Sequence, residues 1–252
     1  MTSIALKPPW QRMSAHFPAT FWSATLVLGA VFFAMRGVGV LGPVRLQFLL
    51  PLMCVLMVAV PCLLLTAAGR RQIGLRRAHR ASDYLTGAVA GALAAAICFA
   101  VGLLCFGTGP DNWYVSIANS YRRGYDTSGF STLQLHLMFT STACIFSPLG
   151  EEIFFRGFLQ RALEDRFTRR TSTHMEAAFF GLVHLCHHGI VVAAGGVSVR
   201  PLSGALWVLL MFGTAWSFAW LRQRSGSLWP AVLGHAAFNA TMNTFIFAFL
   251  WA

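Results

Sequence analysis

Apolar runs close to the roughly 20 residues that a helix needs to cross a bilayer's hydrocarbon recur along this chain. They occupy about 18–35, 46–67, 84–106, 133–150, 175–194, 203–221 and 228–251. In lipid every backbone polar group must be satisfied within its own segment or a closed barrel, so runs of this length predict helices. The fold class that follows is all-α, a polytopic membrane helix bundle of about seven transmembrane helices. Hydrophobic residues make up 56% and charged residues 11% of the chain, against the ~25% charged that is usual in soluble domains. With no internal repeat, low-complexity tract or long linker, residues 1–252 read as a single membrane domain. Lys7 and Arg12 precede the first run as they would in a signal peptide. That run is too long and lacks a small-residue cleavage site, so it reads as a retained span. Pro51 and Pro61 predict kinks in the second run, and Gly87-x-x-x-Gly91 followed by Ala95 gives the third a face for close helix packing.

The formal charge of +11 comes from residues in short segments between the runs. Membrane topology and anionic headgroups account for them there, which speaks against a nucleic-acid partner. On the seven-span reading fourteen Lys and Arg lie on the N-terminal side, or thirteen without Arg156. Five lie opposite: Arg36, Arg45, Arg122, Arg123 and Arg200. The positive-inside rule then places the N-terminus in the cytoplasm and the C-terminus outside. The segment 107–131 carries Trp113, Tyr114, Tyr121, Tyr125 and Phe130 among polar residues, a composition suited to the membrane interface. The six cysteines lie in apolar runs without a Cys-x-x-Cys pair and read as reduced, buried hydrophobes.

Charge enters an apolar setting at Ser147-Pro-Leu-Gly-Glu151-Glu152-Ile-Phe-Phe-Arg156. An intramembrane ionisable residue costs about 2.5–3.5 kcal/mol on insertion scales and points to function. Glu152 and Arg156 stand four apart and can pair on a helix, which leaves Glu151 for chemistry. Phe180 and His184 share a helical face, as do His235 and Asn239. Counted along their spans, Glu151, His184 and His235 converge in the cytoplasmic half, in a cavity shared by three helices. Amide hydrolysis needs a base for water and donors for the developing oxyanion. Glu151 suits the first role, with His184 orienting the water. Asn239 and a His235 N–H suit the second, each worth about 3–4 kcal/mol in the transition state. The mechanistic rival is a zinc ion on Glu151, His184 and His235. The chain lacks His-Glu-x-x-His, and Asn239 is a poor zinc ligand, so a cofactor-free mechanism is preferred. His187 and His188, one turn beyond His184, read as cavity-lining or packing residues, and Glu176 as a cap or counter-charge near Arg169 and Arg170. Taken singly, each polar residue also reads as helix-to-helix glue.

Glu151-Glu152-x-x-x-Arg156, Phe180-x-x-x-His184 and His235-x-x-x-Asn239 resemble, in order and spacing, the three motifs of the CPBP intramembrane proteases. That family includes CAAX prenyl endopeptidases and bacterial proteins linked to bacteriocin processing or self-immunity. The resemblance covers about 139–243 as the protease core. It implies that Glu151 and His184 activate water, that His235 and Asn239 stabilise the oxyanion, and that Glu152 and Arg156 hold the site in shape. The expected activity is endoproteolysis of a membrane-associated protein or peptide near the cytoplasmic face, in a multi-pass protein of a bacterial inner membrane. The alternative is a non-catalytic binding or immunity protein, or a transporter, built on the same polar cluster.

Overall fold

The computed structural model describes residues 4–16, 20–193 and 196–251. Residues 18 and 19 of the first expected run and residue 194 of the fifth lie outside them. The N-terminal segment is pinned by a bridge between Leu6 and Leu65 and leads into α1 (Pro8–His16). Then come α2 (Thr20–Leu41), α3 (Leu49–Leu64), α4 (Ala67–Gln72), α5 (Ser82–Phe106) and α6 (Trp113–Gly124). A long helix begins as α7 (Thr132–Glu151), widens into a π-helical stretch at Glu152–Leu159 and ends as α8 (Gln160–Leu163). It is followed by α9 (Arg169–Val183), the strands β1 (Ile190–Ala193) and β2 (Gly196–Val199), α10 (Pro201–Ser225) and α11 (Trp229–Phe245). A further π-helical turn, Ile246–Leu250, extends α11.

Among the described residues four helices are long and apolar enough to cross a membrane: Phe21–Leu41, Val44–Leu64, Ser82–Phe106 and Pro201–Ser225. Of the helices near the motif residues, α9 has 15 residues and α11 has 17, both short for a span. The fourth expected run does not stop at residue 150 but continues to Leu163, so Glu151 lies inside a long helix and not at its end. The fifth stops early. After Val183 the chain makes a 3-10 turn at His184–Cys186, passes Gly189 at φ 114° and enters an antiparallel hairpin that pairs Ile190 with Val199. Its β-branched run Ile190-Val191-Val192 is read equally well as strand or helix by composition, and the glycines at 189 and 196 decide for the hairpin.

Pro61 lies inside α3, whereas Pro51 sits in its first turn, where a missing N–H costs nothing. α6 does not lie loosely along the interface. Trp113 and Tyr114 are fully buried, donating to Cys98 O at 3.1 Å and Ala95 O at 2.8 Å of α5, and Tyr121 stacks on Phe139 of α7. The expected small-residue face is used in full. Gly87 and Gly91 lie against the backbone of Pro230 and Gly234 in α11, so closely that a Cβ at either would overlap a carbonyl oxygen, and Ala95 is buried beyond them. This contact sets the position of α11 and therefore of His235 and Asn239.

Gly91→Leu is expected to destabilise the detergent-solubilised protein by about 1–3 kcal/mol or more through overpacking. Gly213→Leu, at an exposed position with open space around it, serves as the neutral control. Thermal unfolding of both variants measures the difference.

Candidate active site

The long helix delivers its two adjacent carboxylates to different neighbours. Glu151, the last residue of α7, points to α2 and pairs with the Arg36 guanidinium. Glu152 opens the π-helical stretch and points to α11, where its Oε1 accepts from His235 Nδ1 at 2.8 Å. A π-bulge of this kind widens the turn and is frequent at functional sites. Arg156 follows, fully buried. Its Nε stands 3.3 Å from Glu152 Oε2 and 3.6 Å from Glu176 Oε1, and its guanidinium lies over the Phe180 ring at 3.8 Å. Its nitrogens have no aligned hydrogen-bond acceptor among the described residues. Two carboxylates and an aromatic face therefore hold it as a cation.

The expected Glu152–Arg156 pair is present, but the expectation that Glu151 is left over without a partner is corrected. Arg36 was counted among the arginines of an outer connecting segment. It belongs instead to α2, which continues to Leu41, and its side chain is buried in the site. With Arg36 and Arg156 both removed from the topology count, the charge bias becomes thirteen against four. Glu176 likewise faces Arg156 and not Arg169 or Arg170.

The hydrogen bonds fix several ring orientations. Phe180 O can only accept, so His184 Nδ1 at 2.7 Å is its donor, and Nε2 carries the free lone pair of the neutral ring. Arg36 NH1 donates to His187 Nε2 at 3.0 Å, which makes His187 an acceptor there. His188 bridges Ser116 and Ser203, each at 2.8 Å, and ties α6 to α10. Ser147, one helical turn before Glu151, donates to Glu151 Oε1 at 2.8 Å, and its oxygen lies 3.4 Å from His235 Nε2. Ser147 thus stands between Glu151 and His235, and His235 between Ser147 and Glu152, so contacts through two side chains connect the neighbouring glutamates as well as the backbone does. Asn239 donates Nδ2 to Ala143 O of α7 at 2.9 Å.

Glu151, His184, His235 and Asn239 all line one cavity of about 380 Å³, together with Arg36, Ser147, Phe180 and His187. More than three helices enclose it. Its other walls come from the first turn of α3 (Leu50, Pro51), from α6 (Ile117, Ser120, Tyr121) and from the N-terminal half of α7 (Met138, Phe139, Thr142). Pro51, Met138, Thr142 and Phe146 are exposed, so part of the cavity lining from α3 and α7 reaches the bundle's surface. These walls lie at the end of the bundle opposite to the N-terminal segment, which is tied to α3, α4 and Asp165. The cavity thus reaches toward that far end, while His235 stands six residues into α11 from its start at Trp229. Arg36, against which Glu151 is held, stands sixteen residues along α2 from Thr20, about 24 Å at the helical rise.

No three His, Cys, Asp or Glu side chains are gathered closely enough to hold a metal ion among the described residues. Of the imagined zinc set, Glu151 is held by the Arg36 guanidinium, whose charge opposes a cation beside it, whereas His184 and His235 bond through Nδ1 to Phe180 O and Glu152 and keep Nε2 for another partner.

Residues 133–241 match the family model for Rce1-like proteins, described as type II CAAX prenyl endopeptidase Rce1-like. That segment is of the CPBP family. No curated protein and no solved structure matches the chain. The CPBP segment contains Glu151, Glu152, Arg156, Phe180, His184, His235 and Asn239, whereas Arg36 lies outside it. Sequence reasoning missed Arg36 as a site residue. The apolar residues Val38, Val40 and Leu41 beyond it were the available signal that the helix runs past it. It also passed over Ser147, although that serine stands four residues before Glu151, on the same helical face.

Arg36→Ala strands Glu151 as an unpaired buried carboxylate and is expected to cost about 3–5 kcal/mol. Adding Glu151→Gln removes that charge, so the double variant should recover stability relative to Arg36→Ala alone. Unfolding midpoints of the two single variants and the double variant measure the coupling.

Proposed function

We propose that this chain is an intramembrane endopeptidase that hydrolyses a peptide bond with water activated by Glu151 and His184. The observation that carries the reading is that Glu151, His184, His235 and Asn239, drawn from three separate helical segments, line the same cavity. Amide hydrolysis then proceeds from the chain's own groups. The lone pair on His184 Nε2 accepts one hydrogen bond from the water. Glu151 takes the proton as the oxygen attacks the scissile carbonyl and returns it to the departing amine. The Asn239 amide, released from Ala143 O, stabilises the oxyanion, joined by the His235 Nε2–H when the ring held by Glu152 carries both protons. Arg36 positions Glu151 and keeps the carboxylate ionised until it accepts the proton, and Glu152 fixes the His235 ring by accepting from Nδ1.

The substrate is proposed to be a membrane-associated protein or peptide. The exposed apolar lining residues of α3 and α7 suit a segment arriving from the bilayer, and the Rce1-like match concerns prenyl endopeptidases. The remaining charge bias favours the N-terminal face in the cytoplasm of a bacterial inner membrane, and cleavage near that face stays part of the proposal. Cysteines placed at Arg77 and Arg123 should label from opposite sides, Arg77 from the cytoplasm. Labelling of Arg77→Cys from outside reverses the orientation.

Glu151→Gln should abolish cleavage in a purified assay while the protein stays folded and inserted, and His184→Ala should do nearly the same. Asn239→Ala should retain activity lowered by about 10²–10³, as for one lost oxyanion donor. Wild-type cleavage by Glu151→Gln rules Glu151 out as the base. Loss of activity on chelation, restored by zinc, replaces the proposed mechanism with a metal-dependent one.

A further inference from the structure

A second cavity, of about 320 Å³, lies at the end of the bundle that carries the N-terminal segment, away from the first. The C-terminal end of α4, Glu164 just after α8, the first residue of α9 and the last turn of α10 meet there. Five guanidinium groups line it against a single carboxylate: Arg71, Arg76, Arg161, Arg169 and Arg222 face Glu164. The floor is built. Arg222 and Arg161 are buried, held by Gln160 at 3.2 Å and Asp165 at 2.6 Å respectively. Arg76 is anchored on the rim by donating to Gly226 O at 2.6 Å. Arg71 and Arg169 are exposed and make no side-chain hydrogen bond or ion pair among the described residues.

Crowding cations around one concavity raises their mutual repulsion, a cost that an anion in the concavity removes. Planar guanidinium groups match the oxygens of a phosphate bidentately, and Arg is the residue enriched where such recognition matters. The cavity also sits where long apolar helices end, at headgroup depth, on the face whose connections are the most basic. Basic pockets between helices at that depth suit phosphorylated headgroups.

We propose that this cavity is a phosphate-binding site, with Arg161 and Arg222 as its fixed floor and Arg71 and Arg169 as the free rim that closes on the ligand. The phosphate comes either from an anionic lipid headgroup or from a soluble phosphate compound. The site is independent of the peptidase reading, and its test involves no cleavage.

The full chain is purified in neutral detergent, and its unfolding midpoint is titrated with phosphatidylglycerol, with phosphatidylcholine and with inorganic phosphate. A saturable rise with phosphatidylglycerol alone supports the site and identifies a lipid source, and a saturable rise with inorganic phosphate supports it with a soluble one. Arg71→Gln combined with Arg169→Gln should weaken the apparent affinity about tenfold or more, the range for lost hydrogen bonds to a charged ligand. The same charge removed at the other end of the bundle, by Arg45→Gln with Arg123→Gln, should change it less than twofold. Each rim substitution is also made singly, so that a poorly folding double variant does not end the test. The proposal is overturned if neither phosphate source raises the midpoint, if the rim variants respond as wild type, or if the control pair loses as much affinity as the rim pair.

Discussion

A charge buried among apolar side chains must find an opposite charge, and in this bundle that requirement joins the elements that matter. Glu151 from α7 meets Arg36 from α2, while Glu152 and Arg156 from the π-helical stretch meet His235 of α11 and Glu176 of α9. Breaking a buried pair by removing one partner costs about 3–5 kcal/mol, more than most single contacts between helices contribute. The pairings therefore dictate how four long helices are rotated about their axes. Packing serves the same end. The glycine contact between α5 and α11 brings His235 within reach of Glu152, and Gly150 lies against the backbone of Cys54, which holds α7 to α3 beside Glu151.

The same network gives the two adjacent carboxylates different characters. Glu151 faces the cavity beside a guanidinium, a serine hydroxyl and two histidines, whereas Glu152 is sealed between Arg156 and His235. Three carboxylates, Glu151, Glu152 and Glu176, face two guanidinium groups. One further proton on the cluster evens its charge, and Ser147 and His235 stand between the two glutamates.

The polar motif residues were legible in the sequence because charge and imidazole stand out against an apolar pattern, and their spacing on a helix is local information. Their convergence was legible too. The end of the fourth run was not, because Arg156, neutralised by two glutamates, lets the helix continue to Leu163. Arg36 was hidden for a different reason. An arginine near the end of an apolar run looks the same whether it snorkels to a headgroup or pairs with a carboxylate 115 positions away. The hairpin at Ile190–Val199 was lost because a short β-branched apolar run has no periodicity that separates strand from helix.

That separation of 115 positions also imposes an order of events during synthesis. The helix that bears Arg36 enters the bilayer long before the ribosome has made Glu151, so for that interval the guanidinium has no carboxylate to meet and must reach for headgroups or water. Arrival of the long helix then converts a reluctant early span into a locked one. The candidate site comes into being at that moment, and a nascent chain carries no assembled site while its own N-terminal spans are still being threaded into the membrane.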